Sequence, residues 1–274
     1  MHQSSLKGQK KPGISLEHIE SINTKRIKLL DIPIDAVNFP QALSIIGNII
    51  EKETIEQKPA LVFTPNAEII VKAHDDMSFR EILQDADLVI PDGSSLLWAA
   101  KVLKKPIKTR VTGIDLMQLL LEEAEKCGWS VYFLGAKHEV IKEAVSLTRK
   151  RHPSLKIVGY HHGYFDDDNL ILKDIKNLEP DILFAGMGAP KQEVWLTKNR
   201  DRLNCRVAIG VGGSFDVLSG NVKRAPMWMQ NRGLEWLYRY LKEPSRIKRS
   251  ILLPRFISLV LKEKIRNLKG EKTL

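Results

Sequence analysis

Residues 182–216 read ILFAGMGAPKQEVWLTKNRDRLNCRVAIGVGGSFD, and the fold class can be read from this stretch. Two short, almost unbroken apolar runs, Ile182–Ala185 and Val207–Val211, flank an amphipathic segment over 190–200. Strand-sized runs without polar alternation belong to strands covered on both faces, and a helical segment between two of them marks a parallel crossover. The same unit recurs upstream. Ala60–Phe63, Leu88–Ile90, Val131–Leu134 and Ile157–Gly159 are further runs of this kind, with helical periodicity over 40–52, 66–85, 94–103, 114–127, 138–150 and 168–177. The expected fold is α/β: a Rossmann-like, mostly parallel sheet flanked by helices, forming one domain over residues 25–222.

In such a sheet, ligands bind beyond the carboxyl ends of the strands. The loops there are Thr64-Pro65-Asn66-Ala67-Glu68, Pro91-Asp92-Gly93-Ser94-Ser95, Gly186-Met187-Gly188-Ala189-Pro190-Lys191-Gln192-Glu193 and Gly212-Gly213-Ser214-Phe215-Asp216. Each sets a glycine, a small hydroxyl or an amide near a helix N-terminus, where backbone N–H groups face an anion. Taken together they point to a phosphorylated ligand; any one alone is equally an ordinary cap or tight turn. Asp92 follows a buried strand and is held between Pro91 and Gly93. It can serve as general base on a sugar hydroxyl or cap the helix beginning near Ser94, and its position leaves both readings open. Neither Gly-rich loop completes a dinucleotide fingerprint and there is no Walker sequence, which argues against a dehydrogenase or an ATPase.

The charge is unevenly placed. The chain has 274 residues, 43 basic and 33 acidic, for a net charge of +10. Residues 223–274 hold 14 of the basic and 4 of the acidic side chains, so the remainder is neutral and the whole surplus lies in a basic helical appendage. Within it Arg239, Arg246 and Arg249 share a helical face if the helix persists through Pro244, and three guanidinium groups so arranged suit a diphosphate; a solvated basic face is the competing account. Further on, Phe256, Ile257, Val260, Leu261, Ile265 and Leu268 fall on one helical face, with Arg255, Lys262, Lys264, Arg266 and Lys269 off it. That helix can lie in an anionic membrane interface or dock onto the core, and the concentration of charge favours the membrane surface. Trp228, Trp236 and Tyr238 read as packing residues.

Residues 1–24 are polar and read as a flexible leader, with no apolar segment for secretion or membrane crossing. Cys127 and Cys205 form no paired motif and the histidines lack zinc spacing, so no metal and no cofactor are expected. Asp166-Asp167-Asp168 precedes a helical stretch and reads as capping. Nucleic acid ranks last among partners, since the appendage carries no recognisable binding signature.

Taken in order, Thr64–Glu68, Pro91–Gly93, Arg110-Val111-Thr112-Gly113-Ile114-Asp115-Leu116-Met117, Gly188–Glu193, Val211–Asp216, Arg224-Ala225-Pro226 and Leu234-Glu235-Trp236-Leu237-Tyr238-Arg239 strongly resemble the WecG/TagA/CpsF glycosyltransferases, over about residues 27 to 250. The resemblance implies an inverting, metal-independent transfer from a UDP-sugar to an undecaprenyl-diphosphate-linked acceptor at the inner face of the cytoplasmic membrane. In the TagA branch, to which this sequence is most similar, N-acetylmannosamine passes to GlcNAc-diphospho-undecaprenol in the linkage unit of wall teichoic acid. The resemblance makes Asp92 the base and assigns Thr64, Asn66, Arg110, Gln192, Gly212 and Gly213 to the substrates. Arg239, Arg246 and Arg249 match the appendage arginines that complete the family's site, and the appendage promotes membrane association. Another UDP-sugar donor, a non-catalytic UDP-sugar or lipid-diphosphate binder on the same fold, and a homo-oligomeric state stay open.

Overall fold

The computed structural model describes residues 25–52, 58–232, 234–235, 237–238 and 252–270. The expected leader, and Arg239, Arg246, Arg249 and Trp236, lie outside them. The chain opens with an antiparallel hairpin, β1 (Arg26–Leu29) and β2 (Ile32–Asp35), followed by α1 (Phe39–Glu51). Six parallel strands then alternate with helices: β3 (Ala60–Phe63), β4 (Leu88–Val89), β5 (Ser130–Gly135), β6 (Lys156–His161), β7 (Ile182–Gly186) and β8 (Val207–Gly210), in the spatial order β4-β3-β8-β7-β5-β6. All six coincide with apolar runs picked out in the sequence.

The helices are α2 (Ala67–Asp75), α3 (Met77–Gln84), α4 (Ser94–Val102), α5 (Gly113–Cys127), α6 (His138–Arg151), α7 (Asn169–Leu178), α8 (Lys191–Lys198), α9 (Ser214–Leu218), α10 (Met227–Asn231) and α11 (Leu252–Gly270). The expected helix over 66–85 is two helices. Asp76 takes extended backbone angles, ends α2 and caps α3 by accepting from Phe79 N at 3.2 Å.

Alternate residues of β3, β4, β5, β7 and β8 feed two cores, as a pleated strand buried on both faces requires, while the edge strand β6 adds Ile157 to one of them. Leu61, Phe63, Tyr132, Leu183 and Ala208 pack with α2, α3, α4, α7, α8 and α11. Val62, Phe133, Ile182, Phe184 and Ile209 pack on the other face with α1, α5, α6 and α9. The hairpin attaches beside β4 through Asp35. Its buried carboxylate accepts from Arg26 at 2.9 and 2.8 Å and from Val89 N at 2.7 Å.

Helix α11 corrects one expectation. Its apolar residues do not act as one face: Phe256 and Val260 are fully buried in the core, while Ile257, Leu261, Ile265 and Leu268 are 38%, 44%, 54% and 49% exposed. The stripe is wider than the surface that α2 and α4 present to it, so one edge docks and the other faces outward. Arg255 to Asp75 at 2.5 Å, and the Leu30 N–H donating to Glu263 at 3.2 Å, hold the helix in place. Trp228 is likewise 57% exposed rather than packed, and Tyr238 is half-buried.

Candidate active site

A cavity of about 690 Å³ opens over the carboxyl ends of β4, β3, β8 and β7. Thr64, Asn66, Asp92, Arg110, Gln192, Gly212 and Gly213 all line it. The loops bring together every expected site residue that lies within the described part of the chain.

Asp92 follows β4 and is half-buried; its backbone N–H is tied to the Pro65 carbonyl at 3.0 Å. The carboxylate has a partner on another helix. The N-cap position of α4 is Gly93, at φ +97°, and the Asp92 carboxylate accepts from Gly113 N at 3.3 Å. A Cβ on Gly113 would lie 3.1 Å from Thr64 Oγ1 and 3.9 Å from Asp92 Oδ2. Glycine there therefore lets the hydroxyl and the carboxylate converge above the start of α5. Thr64 donates to the Gly210 carbonyl at 3.3 Å, joining the β3 and β8 loops. Asn66 both lines the cavity and caps α2, its carbonyl oxygen accepting from Ile69 N at 3.1 Å, so the two readings of that residue coexist.

On the opposite side, Gln192 is 3% exposed, and its carbonyl oxygen accepts from Gly188 N at 3.2 Å and Gly212 N at 3.0 Å. Gly212 sits at φ +53°, and α9 beyond it starts at Gly213 with no side-chain cap. The α8 start likewise has no side-chain cap. Arg110 donates to the Gln230 carbonyl at 3.2 Å and stands 3.9 Å from Glu235. Arg224 joins the same group through a bidentate contact with Asp115 and a 3.6 Å approach to Glu235. These contacts fasten the segment after residue 223 to the N-terminal end of α5.

Part of the cavity wall is apolar, formed by Trp98 of α4 and Leu253, Phe256 and Ile257 of α11. Sequence reasoning missed this wall, because Phe256 and Ile257 read as part of a membrane-facing stripe and Trp98 sits in a segment with no motif. It also missed Glu193. That side chain is buried in the first turn of α8, and burial pushes its carboxyl up to about 7, against the lowering pull of Gln192, of its own backbone N–H and of Lys72. The acidic triplet contributes nothing to the cavity. Asp168 makes no side-chain capping bond; it accepts from Trp195 Nε1 at 3.0 Å and Asn199 Nδ2 at 3.1 Å, while Asp167 bonds Asn169 N at 3.0 Å. Among the described residues no cluster of three or more metal-ligating side chains occurs, and no helix is long and apolar enough to cross a membrane.

Fold and cleft together define a sheet-rim binding protein whose site is lined by both polar and apolar side chains. The Glycosyl transferase WecG/TagA/CpsF family profile matches residues 27–270, and the chain belongs to that family. Its relatives agree. The chain is 38% identical over 230 residues to an N-acetylglucosaminyldiphosphoundecaprenol N-acetyl-beta-D-mannosaminyltransferase of Bacillus subtilis (strain 168), spanning 82% of this chain and 90% of that protein. Proteins of the same name from Bacillus spizizenii and Staphylococcus aureus (strain MW2) are 35% and 33% identical, covering 84% and 89% of this chain and 90% and 96% of their own lengths. The protein is a glycosyltransferase.

Proposed function

We propose that the protein transfers N-acetylmannosamine from UDP-ManNAc to GlcNAc-diphospho-undecaprenol with inversion, in the linkage unit of wall teichoic acid. One observation carries this reading. The Asp92 carboxylate and the Thr64 hydroxyl line one cavity together with the apolar side chains of Trp98, Leu253, Phe256 and Ile257, a lining with polar groups for a sugar nucleotide and apolar ones for a lipid-linked sugar. Asp92 accepts the proton of the acceptor hydroxyl as that oxygen attacks the anomeric carbon; UDP departs on the opposite face. Charge growing on the leaving diphosphate is met by Arg239, Arg246 and Arg249 from the appendage and by polar groups of the loops that line the cavity. The reaction so written needs no metal, and turnover in excess chelator tests that point.

The appendage also binds the membrane. On α11 the outward edge Ile257, Leu261, Ile265 and Leu268 is flanked by Lys262, Lys264, Arg266 and Lys269, a pattern suited to anionic lipid at the cytoplasmic face. The deciding experiment measures UDP release from a panel of UDP-sugars with a short-chain lipid-diphosphate acceptor. UDP-ManNAc should turn over fastest and only with acceptor present; equal or faster use of another donor would overturn the sugar assignment.

A further inference from the structure

We infer that Glu193 is a positioning residue, which acts through the Gln192 amide to hold the Gly188 and Gly212 loops at a set spacing across the donor side of the cleft. The inference rests on the reading of that cleft as the UDP-sugar site. Glu193 is 1% exposed. An acidic residue in the first turn of a helix favours the helix dipole, but a solvent-facing position would serve that purpose without desolvating the carboxyl. Here one oxygen accepts from Gln192 Nε2 at 2.9 Å, and the other is buried with no hydrogen-bond partner among the described residues. The charged group facing it is Lys72 of α2, itself bonded to Glu68 at 2.7 Å and to the Ala189 carbonyl at 3.2 Å. So costly a placement is matched by what the Gln192 amide does next. Its carbonyl oxygen takes the backbone N–H groups of Gly188 and Gly212, two cavity-lining residues from different loops.

The result is an unbroken hydrogen-bond chain from a buried carboxyl to two loop amides. Each donor in such a chain strengthens the next acceptor. Close packing leaves the amide little other room: a Cβ on Gly210 would lie 2.8 Å from Gln192 Nε2. Removing the carboxyl leaves a buried N–H without a partner, and the amide can then leave its position between the loops.

The test uses full-length enzyme, UDP-ManNAc and a short-chain lipid acceptor. Glu193→Met should raise KM for the donor roughly tenfold, the effect of one buried donor left unmet, with kcat and acceptor KM changed less. Its melting temperature should change little, because the unmet Gln192 N–H is offset by relief of the buried carboxyl's desolvation. Glu193→Gln keeps an acceptor oxygen in place and should restore the donor KM to within about threefold. In a Gln192→Ala background, Glu193→Met should add nothing. Wild-type donor KM in Glu193→Met beside an impaired Gln192→Ala overturns the positioning role alone. Wild-type donor KM in Gln192→Ala overturns the assignment of this half of the cleft to the donor, and the positioning role with it. Should Glu193→Met fail to fold, amide chemical shifts carry the test. The Gly188 and Gly212 N–H signals should move together with pH in the wild type and stay flat in Glu193→Gln; identical titration in both overturns the chain.

Discussion

The carboxyl rim of the sheet has two halves, built by strands of the same apolar character and finished by very different loops. Over β5 and β6 the rim is crowded with groups that chemistry favours: His138, His161, His162, Tyr164, Lys191 and the acidic triplet. They are turned on one another. The His161 and His162 rings lie 4.3 Å apart and those of His138 and His162 5.8 Å apart; Lys191 donates to the Gly163 carbonyl at 2.8 Å and sits 5.5 Å from the Tyr164 and Phe165 ring centroids. Desolvation, with His161 and His138 alongside, holds the His162 imidazole below its usual value. Over β4, β3, β8 and β7 the side chains are plainer, and they surround a cavity. What separates the halves is where the polar groups are directed, and residue type does not report that.

The comparison can be broken from either side. Asp92→Asn should lower kcat by about 10² to 10⁴, the usual worth of a general base, with the fold intact by circular dichroism; wild-type turnover would remove the β4 loop from the chemistry. Phe256→Ala should cost about 3–5 kcal/mol in denaturant unfolding, because the ring is fully buried, and should raise acceptor KM as well.

The third prediction concerns Glu193. Its carboxyl titrates near the ordinary glutamate value when unfolded and about 7 when folded, so the native state binds the extra proton between those values. Stability from this group is present at low pH and is lost as pH rises toward 7, by on the order of 3 kcal/mol; Glu193→Gln should flatten that slope in urea titrations. Leu261→Glu with Ile265→Glu should reduce cosedimentation with anionic vesicles several-fold and leave turnover of a soluble acceptor near wild type. The smallest change belongs to the crowded half: His162→Ala should keep kcat and both KM values within about twofold.

Much of this was legible in the residues. All six parallel strands announce themselves as short apolar runs; in β3, β4, β5, β7 and β8 burial on both faces leaves little polar alternation to blur them, while the edge strand β6 is marked by the shorter run Ile157–Gly159. The β1–β2 hairpin was not legible: its turn is made by Leu30 and Asp31 at φ +51° and +64°, without the glycine or asparagine that marks such turns. Asp92 could be picked out because it directly follows a strand, and Thr64 and Gln192 through the motifs that resemble the family's. Glu193 and Phe256 could not. The stripe that holds Phe256 is legible as an apolar helix face, but its place at the cavity comes from packing against elements distant in sequence, and nothing local marks Glu193 as buried.

Phe256 belongs at once to the hydrophobic core and to the wall of the cleft, and it lies after every strand of the sheet in chain order. During synthesis the sheet can therefore be complete while its binding cleft still lacks a side. A product cut short before α11 carries the floor residues without their enclosure, so the order of the chain makes the finished cleft a record that translation passed that helix.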